Sequence, residues 1–258
     1  MERQELIERI LLDEGRVAVV ELAGRFDVTT ETVRRDLDAL ERSGALRRVH
    51  GGAVPLERVS TTESTLADRA QRRSAAKQTI GRRALDILGE GFHGSIYLDA
   101  GTTTAAVADQ LASRLSVTRG SAEVVTHSLT LAHALAAADA VSLSVIGGRV
   151  RGVTAAAVGA DTVRAIEALR PDIAFIGVNG LSAGFGASTP DPDEAAVKRA
   201  IVTAARRVVV VTDETKFDRE LLVTFAALTD IDLLVTDAAP TGELSAALAE
   251  HGTEVWSA

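Results

Sequence analysis

The run Asp99-Ala-Gly-Thr-Thr-Thr104 follows a short β-branched segment and precedes a helical one. Gly101 lets the backbone approach a ligand closely. The hydroxyls of Thr102, Thr103 and Thr104 would converge with the first N–H groups of that helix where an anion would sit. This is a phosphate cradle without the lysine of a P-loop, which argues against a nucleoside triphosphate. With nothing bound, the same residues make an ordinary threonine-capped helix start. Other polar or glycine-rich runs end other apolar segments: Thr126-His127-Ser128, Gly147-Gly148-Arg149, Gly177 to Gly180, Gly184-Phe-Gly186 and Thr212-Asp213-Glu-Thr-Lys216. Glu194 and Lys198 stand at i and i+4 on a helix, the spacing of a pocket pair or of a surface ion pair.

A second group of reactive types lies near the N-terminus, in Thr29 to Gly44. Thr29 can cap a helix, Val33, Leu37 and Leu40 fall on one face, and Gly44 is a stop signal. Glu31, Arg34, Arg35 and Asp38 point the other way. A packed back and two guanidinium forks suit a major-groove reading helix, with the hydroxyls of Thr30 and Thr32 at its N-terminal end. A solvated amphipathic helix has the same pattern. The flanks favour the groove reader. Glu2–Glu14 reads as a helix with Leu6, Ile7, Ile10 and Leu11 inward, and Val20–Phe26 as a second, entering the third through a tight turn at Asp27-Val28. Leu46 to His50 alternates like a strand, Gly51-Gly52 turns it, and Ala53-Val54 returns, a wing that would set Arg47, Arg48 and His50 on phosphates. His50 has no second ligand at metal spacing, so no metal site is expected there.

The remainder must position the cradle. Short β-branched runs at Ile96–Leu98, Val124–Val125, Leu143–Ile146, Ile173–Val178, Val208–Val211 and Leu233–Val235 alternate with helical runs at Ala105–Leu115, Leu129–Ala138, Thr162–Leu169 and Glu194–Ala205. A further helix is expected over Ala75–Leu88. Such alternation predicts an α/β domain with a mainly parallel sheet covered on both faces, and ligands bind outside the C-terminal ends of its strands. Residues 1–56 are expected as a small N-terminal domain, 57–73 as a polar, partly helical linker and 74–258 as the α/β domain.

The chain has 258 residues and no cysteine, which excludes disulfides and thiolate metal sites and agrees with a cytoplasmic location. No apolar run reaches transmembrane length, and the N-terminus is charged, so no membrane association is expected. Net charge is −8, the wrong sign for a bulk nucleic-acid binder. Residues 29–54 carry five arginines against four acids, so the case for DNA rests on where the arginines stand rather than on charge. Of 28 basic residues only Lys77, Lys198 and Lys216 are lysine, marking places where a compact point charge could matter.

Gly15-Arg-Val17, Glu21-Leu-Ala23, Thr32-Val-Arg-Arg-Asp-Leu37, Leu40-Glu41 and Arg48-Val-His-Gly-Gly-Ala53 together resemble the winged helix-turn-helix of the DeoR family of bacterial regulators. The Asp99-Ala-Gly-Thr-Thr loop, Gly147-Gly148, Gly177 with Gly180, Glu194 with Lys198, and Asp213 with Lys216 resemble that family's C-terminal sensor domain, whose fold is ribose-5-phosphate-isomerase-like. The resemblance implies a transcriptional regulator, most simply a repressor of sugar catabolic genes. Its partners would be double-stranded operator DNA and a small phosphorylated sugar, with no cofactor. It implies the Gly-Thr-Thr loop as phosphate binder and Asp99, Lys198, Asp213 and Lys216 as further pocket residues. His127 stands where the family usually has Asn; it could still hydrogen-bond a sugar hydroxyl. Gly148-Arg-Val-Arg-Gly152 and Ser188 to Lys198 resemble members that govern fructose genes, which points to fructose 1-phosphate. A homo-oligomer is expected because paired half-sites double the specific surface.

Two other readings stay open on sequence. One is a sugar-phosphate isomerase with a DNA-binding appendage, in which Asp99, Glu194 or Asp213 would be the general base. The other is a pocket for a non-sugar metabolite, or one that has lost binding.

Overall fold

The computed structural model describes residues 3–15, 17–43, 45–49, 51–55, 60–61 and 63–258, without the side chains of 9, 12–14, 47, 54 and 55. The chain forms two compact units, 1–59 and 60–258.

The first unit contains α1 (Arg3–Glu14), β1 (Val17–Ala18), α2 (Val19–Phe26), α3 (Thr30–Arg42), β2 (Leu46–Val49) and β3 (Gly52–Pro55). Its core is largely the expected one: Ile7 and Leu11 from α1, Leu22 from α2, and Val33, Leu37 and Leu40 from α3 are all buried, whereas Ile10 is only partly buried against them and Leu6, also expected inward, is outside the cluster. The i, i+4, i+7 spacing of the last three fixes which face of α3 turns inward. Thr29 caps α3, its Oγ1 accepting from the Thr32 N–H at 3.2 Å. The turn into α3 places Asp27 in the left-handed region, φ 51°. The helix ends at Arg42; the stop signal expected at Gly44 lies outside the described residues. The wing pairs β2 with β3 as expected, and β1 adds a third strand on the other side of β3. That strand explains Gly52: a Cβ there would stand 1.9 Å from the Val17 carbonyl oxygen.

The second unit opens with α4 (Leu66–Gln71) and α5 (Ser74–Ala84), so residues 60–73, expected as linker, belong to it. There follow β4 (His93–Leu98), α6 (Thr102–Val117), β5 (Ser121–Thr126), α7 (Leu129–Leu135) and β6 (Val141–Val145). Next come the hairpin β7 (Arg149–Arg151) with β8 (Ala156–Val158), then α8 (Ala160–Glu167) and β9 (Ile173–Gly177). After β10 (Gly180–Ser182), β11 (Gly186–Thr189) and α9 (Pro192–Ala204) come β12 (Val208–Val211), β13 (Val223–Ala226), β14 (Leu233–Thr236), α10 (Gly242–Glu250) and β15 (Glu254–Ser257).

The central sheet has seven strands in the order β15-β14-β12-β9-β4-β5-β6, paired in parallel throughout. Alternation sends Ile96, Leu98, Phe175, Val209, Val211 and Leu233 to the face covered by α5 and α6. Tyr97, Ala174, Ile176, Val208, Val210 and Leu234 go to the face covered by α8, α9 and α10. Over the inner strands β9, β12 and β14 both faces are buried, which is why these read as unbroken apolar runs, whereas β6 and β15 at the edges are largely exposed. A small antiparallel sheet, β10-β11-β13, lies outside this layer. Gly184 lies in its β10–β11 turn and Gly186 opens β11 opposite Ser182, so neither joins the strand-end loops of the main sheet as the sequence suggests. No helix among the described residues is long and apolar enough to cross a membrane.

Candidate functional site

The outer face of α3 is open. Thr30, Glu31, Arg34 and Arg35 are exposed, and the guanidinium groups of Arg34 and Arg35 each lie 3.8 Å from Glu31. Such exposed pairs contribute little and exchange readily for a stronger partner. Thr32 shares a hydroxyl hydrogen bond with Thr29 at 2.9 Å, so it sets the helix start. Arg48 departs from expectation. Its Nη1 donates to the Asp38 carboxylate and to the Arg34 carbonyl (3.3 Å), while its backbone N–H donates to Glu41 Oε1 at 2.7 Å. Arg48 is therefore a brace between β2 and α3 rather than a free phosphate contact. Arg47 lies on β2 opposite Val54; its side chain, and all of His50, lie outside the described residues. Sequence reasoning treated Asp36 only as a charge. It is buried and accepts from Arg3 Nε at 2.6 Å, tying α1 to α3.

In the second unit, the C-terminal edge of the parallel sheet gathers Asp99 after β4, His127 after β5, Gly147 after β6, Gly177 at the end of β9 and Asp213 after β12. Asp99 is buried. Its Oδ2 accepts from Lys198 Nζ and from the Gly177 N–H (3.0 Å). Among the described residues its Oδ1 accepts no hydrogen bond, although it too is buried; His127 Nε2 stands 3.7 Å away. Lys198 also donates to the Gly177 carbonyl at 2.8 Å. The expected Glu194–Lys198 pair is thus split: Lys198 turns to Asp99, and Glu194 accepts from Arg151 Nη1 at 3.2 Å. Burial, then the neighbouring Glu63, pushes the Glu194 carboxyl up. His127 is buried with Nδ1 3.0 Å from the Tyr97 hydroxyl. Burial lowers its pKa to about 4, with Asp99 opposing and Lys198 assisting, so the ring is neutral at pH 7.

The N-terminus of α6 has no side-chain cap. Thr102 and Thr103 stand at it, whereas the Thr104 hydroxyl donates to the Gly101 carbonyl at 2.9 Å and holds the turn. The hydroxyls of Thr126 and Ser128 are likewise engaged, Thr126 donating to the Leu98 carbonyl (2.7 Å) and Ser128 capping α7. These three act as scaffold. Gly148 and Gly180 do so too: a Cβ would lie 2.0 Å from Thr162 Oγ1 at the first and 2.3 Å from the Arg219 carbonyl oxygen at the second. Gly147 has open space. Arg149 is exposed and paired with Asp193. Its neighbour on the same strand face, Arg151, is the half-buried arginine of the pair, meeting Glu63 (2.6 Å), Asp191 (3.0 Å) and Glu194 (3.2 Å).

Sequence reasoning flagged Lys77 as a rare lysine but left it out of the site. Gly81 abuts the Ala106 carbonyl and Arg114 reaches the Leu88 carbonyl, so α5 and α6 run side by side in the same direction. Lys77, one turn before Gly81, is therefore level with Thr102, one turn before Ala106. It is buried, donating to the carbonyls of Arg69 and Arg72 (2.7 Å to the latter). Burial lowers its pKa to about 8 against the pull of Asp213, helped by Arg69, Arg72 and Arg73. Lys216 is also lowered to about 8, by burial and by Arg219, Lys77 and Arg69, again with Asp213 opposing. Burial pushes Asp213 up, but Lys216, two bonds from Thr215 and Lys77 outweigh it and hold the carboxyl below its usual range. A helix start with no side-chain cap among the described residues, level with the partly desolvated Lys77 ammonium that in turn feels Asp213 and acts on Lys216, is an arrangement that stabilises a bound oxyanion. Among the described residues no cluster of metal-ligating side chains occurs.

Residues 3–59 match the model of the DeoR-like helix-turn-helix domain, and residues 72–238 match that of the DeoR C terminal sensor domain. The chain is 33% identical over 237 residues to an uncharacterized HTH-type transcriptional regulator FruR of Bacillus subtilis (strain 168), covering 92% of this chain and 91% of that one. It is 36% identical to the HTH-type transcriptional regulator GlpR of Haloferax volcanii (92% and 89% covered). It is 29% identical to the glycerol-3-phosphate regulon repressor of Escherichia coli K12 (97% and 96%). A ribose 5-phosphate isomerase from Methanocaldococcus jannaschii superposes on 56% of the chain, and the chain on 54% of it, at a TM-score of 0.42 and 16% identity, too distant to argue from. The relatives are named as transcriptional regulators, so the isomerase reading is set aside. With both of its units matched and its length shared with these regulators, the chain belongs to the DeoR family of helix-turn-helix transcriptional regulators.

Proposed function

We propose that this protein is a repressor of sugar catabolic genes whose operator affinity is set by a phosphorylated sugar held at the C-terminal edge of the parallel sheet. The observation that carries the reading is the open start of α6 with the buried Lys77 level with it; Lys216 is the second lysine assigned to the site. The phosphate sits against the N–H groups and hydroxyls of Thr102 and Thr103, with Gly101 allowing the approach and the two lysines supplying charge. The sugar hydroxyls reach Asp99 Oδ1, a buried acceptor with no donor among the described residues, and the His127 ring beside it. Gly147, Gly177, Lys198 and Asp213 shape the wall, and Glu194 with Arg151 closes it.

The effector in this reading is fructose 1-phosphate. Support comes from the Gly148-Arg-Val-Arg-Gly152 run and from the similarity to the regulator named FruR, set against comparable similarity to regulators named for glycerol 3-phosphate. The protein works in the cytoplasm as a homo-oligomer, Arg34 and Arg35 of each copy meeting one operator half-site. The effector must bind the operator-competent and operator-incompetent states unequally, since equal affinity shifts nothing. A thermal-shift screen across phosphorylated sugars tests the pocket: a ligand selective for the native state raises the midpoint by mass action, and a flat screen would reject the assignment.

A further inference from the structure

Arg69, on α4, is mostly buried at 18% side-chain exposure. Its Nη1 lies 3.1 Å from Glu63 Oε1. Its Nε and Nη2 are buried, and among the described residues neither has a hydrogen-bond acceptor. Buried donors on a charged group carry a large desolvation cost when unmade, so such a pair calls for a partner. Nε and Nη2 form one edge of the guanidinium plane, the fork that takes two oxygens of a phosphate or carboxylate. Arg69 stands next to the candidate anion site. The Arg69 carbonyl accepts from Lys77 Nζ, its charge is among those that lower both Lys77 and Lys216, and α4 packs against α6. Glu63, only 4% exposed, holds the opposite edge of Arg69 while its Oε2 accepts from Arg151 Nη1 at 2.6 Å.

We infer that the Nε–Nη2 edge of Arg69 binds two oxygens of the effector's phosphate, with Glu63 fixing the guanidinium from behind. This rests on the reading of the pocket as a sugar-phosphate site. It makes the segment 60–73, which continues directly from the first unit, a provider of ligand contacts. Occupancy of the pocket then bears on the stretch of chain that leads to the DNA-binding unit, and the Glu63–Arg151 pair anchors that stretch to β7.

Calorimetric titration of the full chain with fructose 1-phosphate, and separately with inorganic phosphate, tests this. Arg69→Gln should weaken both ligands by about 30-fold, the loss expected for a charge-assisted bidentate contact. Arg69→Lys, which keeps the charge and a donor toward Glu63 but has no fork, should lose about 10-fold and unfold at the wild-type midpoint. Glu63→Gln should lose less than either. Wild-type affinity in Arg69→Gln, with binding abolished in Lys216→Met, overturns the role of Arg69 and leaves the pocket standing. Absence of binding of either probe to the wild-type protein overturns both.

Discussion

Lys198 and Asp99 meet at the buried edge of the sheet, the ammonium on Oδ2, while Oδ1 of the same carboxylate has no donor among the described residues. The pair neutralises charge that would otherwise be costly to bury, and it orients one acceptor toward ligand. Removing one partner should therefore cost much more than removing both. Asp99→Asn is expected to destabilise the second unit by about 3 kcal/mol, and Asp99→Asn with Lys198→Met by less. Trp256, the one tryptophan, lies on β15 of that unit, so its fluorescence in urea reports the difference. Equal losses would show that the pair is not coupled.

The two crowded lysines predict a pH window for effector binding. Their pKa values, lowered from 10.5 to about 8, mean that positive charge declines as pH rises through 8. A phosphate monoester dianion takes up a proton and drops to a single charge below about pH 6. Affinity should thus be highest between about 6.5 and 8 and fall on the alkaline side, with proton uptake on binding there. Lys216→Arg, which stays charged above pH 8, should flatten the alkaline limb in calorimetry run in two buffers of different ionisation heat.

His127 makes an acid-side prediction. Its folded pKa of about 4 lies below the ordinary 6.5, so the unfolded chain binds the extra proton first. Stability conferred by the neutral ring is complete above pH 6.5 and lost as pH falls toward 4, on the order of 3 kcal/mol. Glu194, pushed up by burial, slopes the opposite way, so the informative quantity is the difference between wild type and His127→Asn. Denaturation midpoints of the two proteins should converge between pH 6.5 and 4.5; parallel curves would show that folding does not move the His127 pKa from its unfolded value.

In the first unit the two kinds of arginine should separate in gel-shift assays. Arg34→Ala should weaken site-specific binding by about 1–3 kcal/mol and relax sequence preference, as for a fork reading a base. Arg48→Ala removes the brace to Asp38 and to the Arg34 carbonyl. It should lower the thermal midpoint of the unit as well as binding, whereas Arg34→Ala leaves the midpoint in place. Identical thermal and binding profiles for the two variants would contradict that division.

Much of this was legible before the fold was known, and the exceptions have physical causes. The parallel strands announce themselves because burial on both faces demands unbroken β-branched runs such as Val208 to Val211. The small sheet does not: Gly180-Leu-Ser182 and Gly186-Ala-Ser-Thr189 carry small residues selected by close backbone approach, without alternation. Spacing found the loops but could not tell ligand-facing hydroxyls from scaffold ones. Thr103 and Thr104 are adjacent and identical in type, yet only Thr104 donates to Gly101. Arg149 and Arg151 share a strand face, and the buried Glu63 carboxylate beneath one of them decides which is drawn inward. Arg69 was hidden in a polar stretch with no clear period, where its meaning depends on Glu63 and Lys77 folding back around it.

The central claim is that filling the anion site changes how tightly the reading helix holds DNA. The direct measurement is fluorescence anisotropy of the purified chain on its own upstream DNA, at fixed salt, with fructose 1-phosphate and then glycerol 3-phosphate titrated in. The account predicts tight, sequence-specific binding that shifts at least about tenfold at saturation with one of them, a coupling of about 1.4 kcal/mol, and no shift in Lys216→Met. An operator affinity that stays constant while calorimetry reports the same sugar phosphate bound would contradict it.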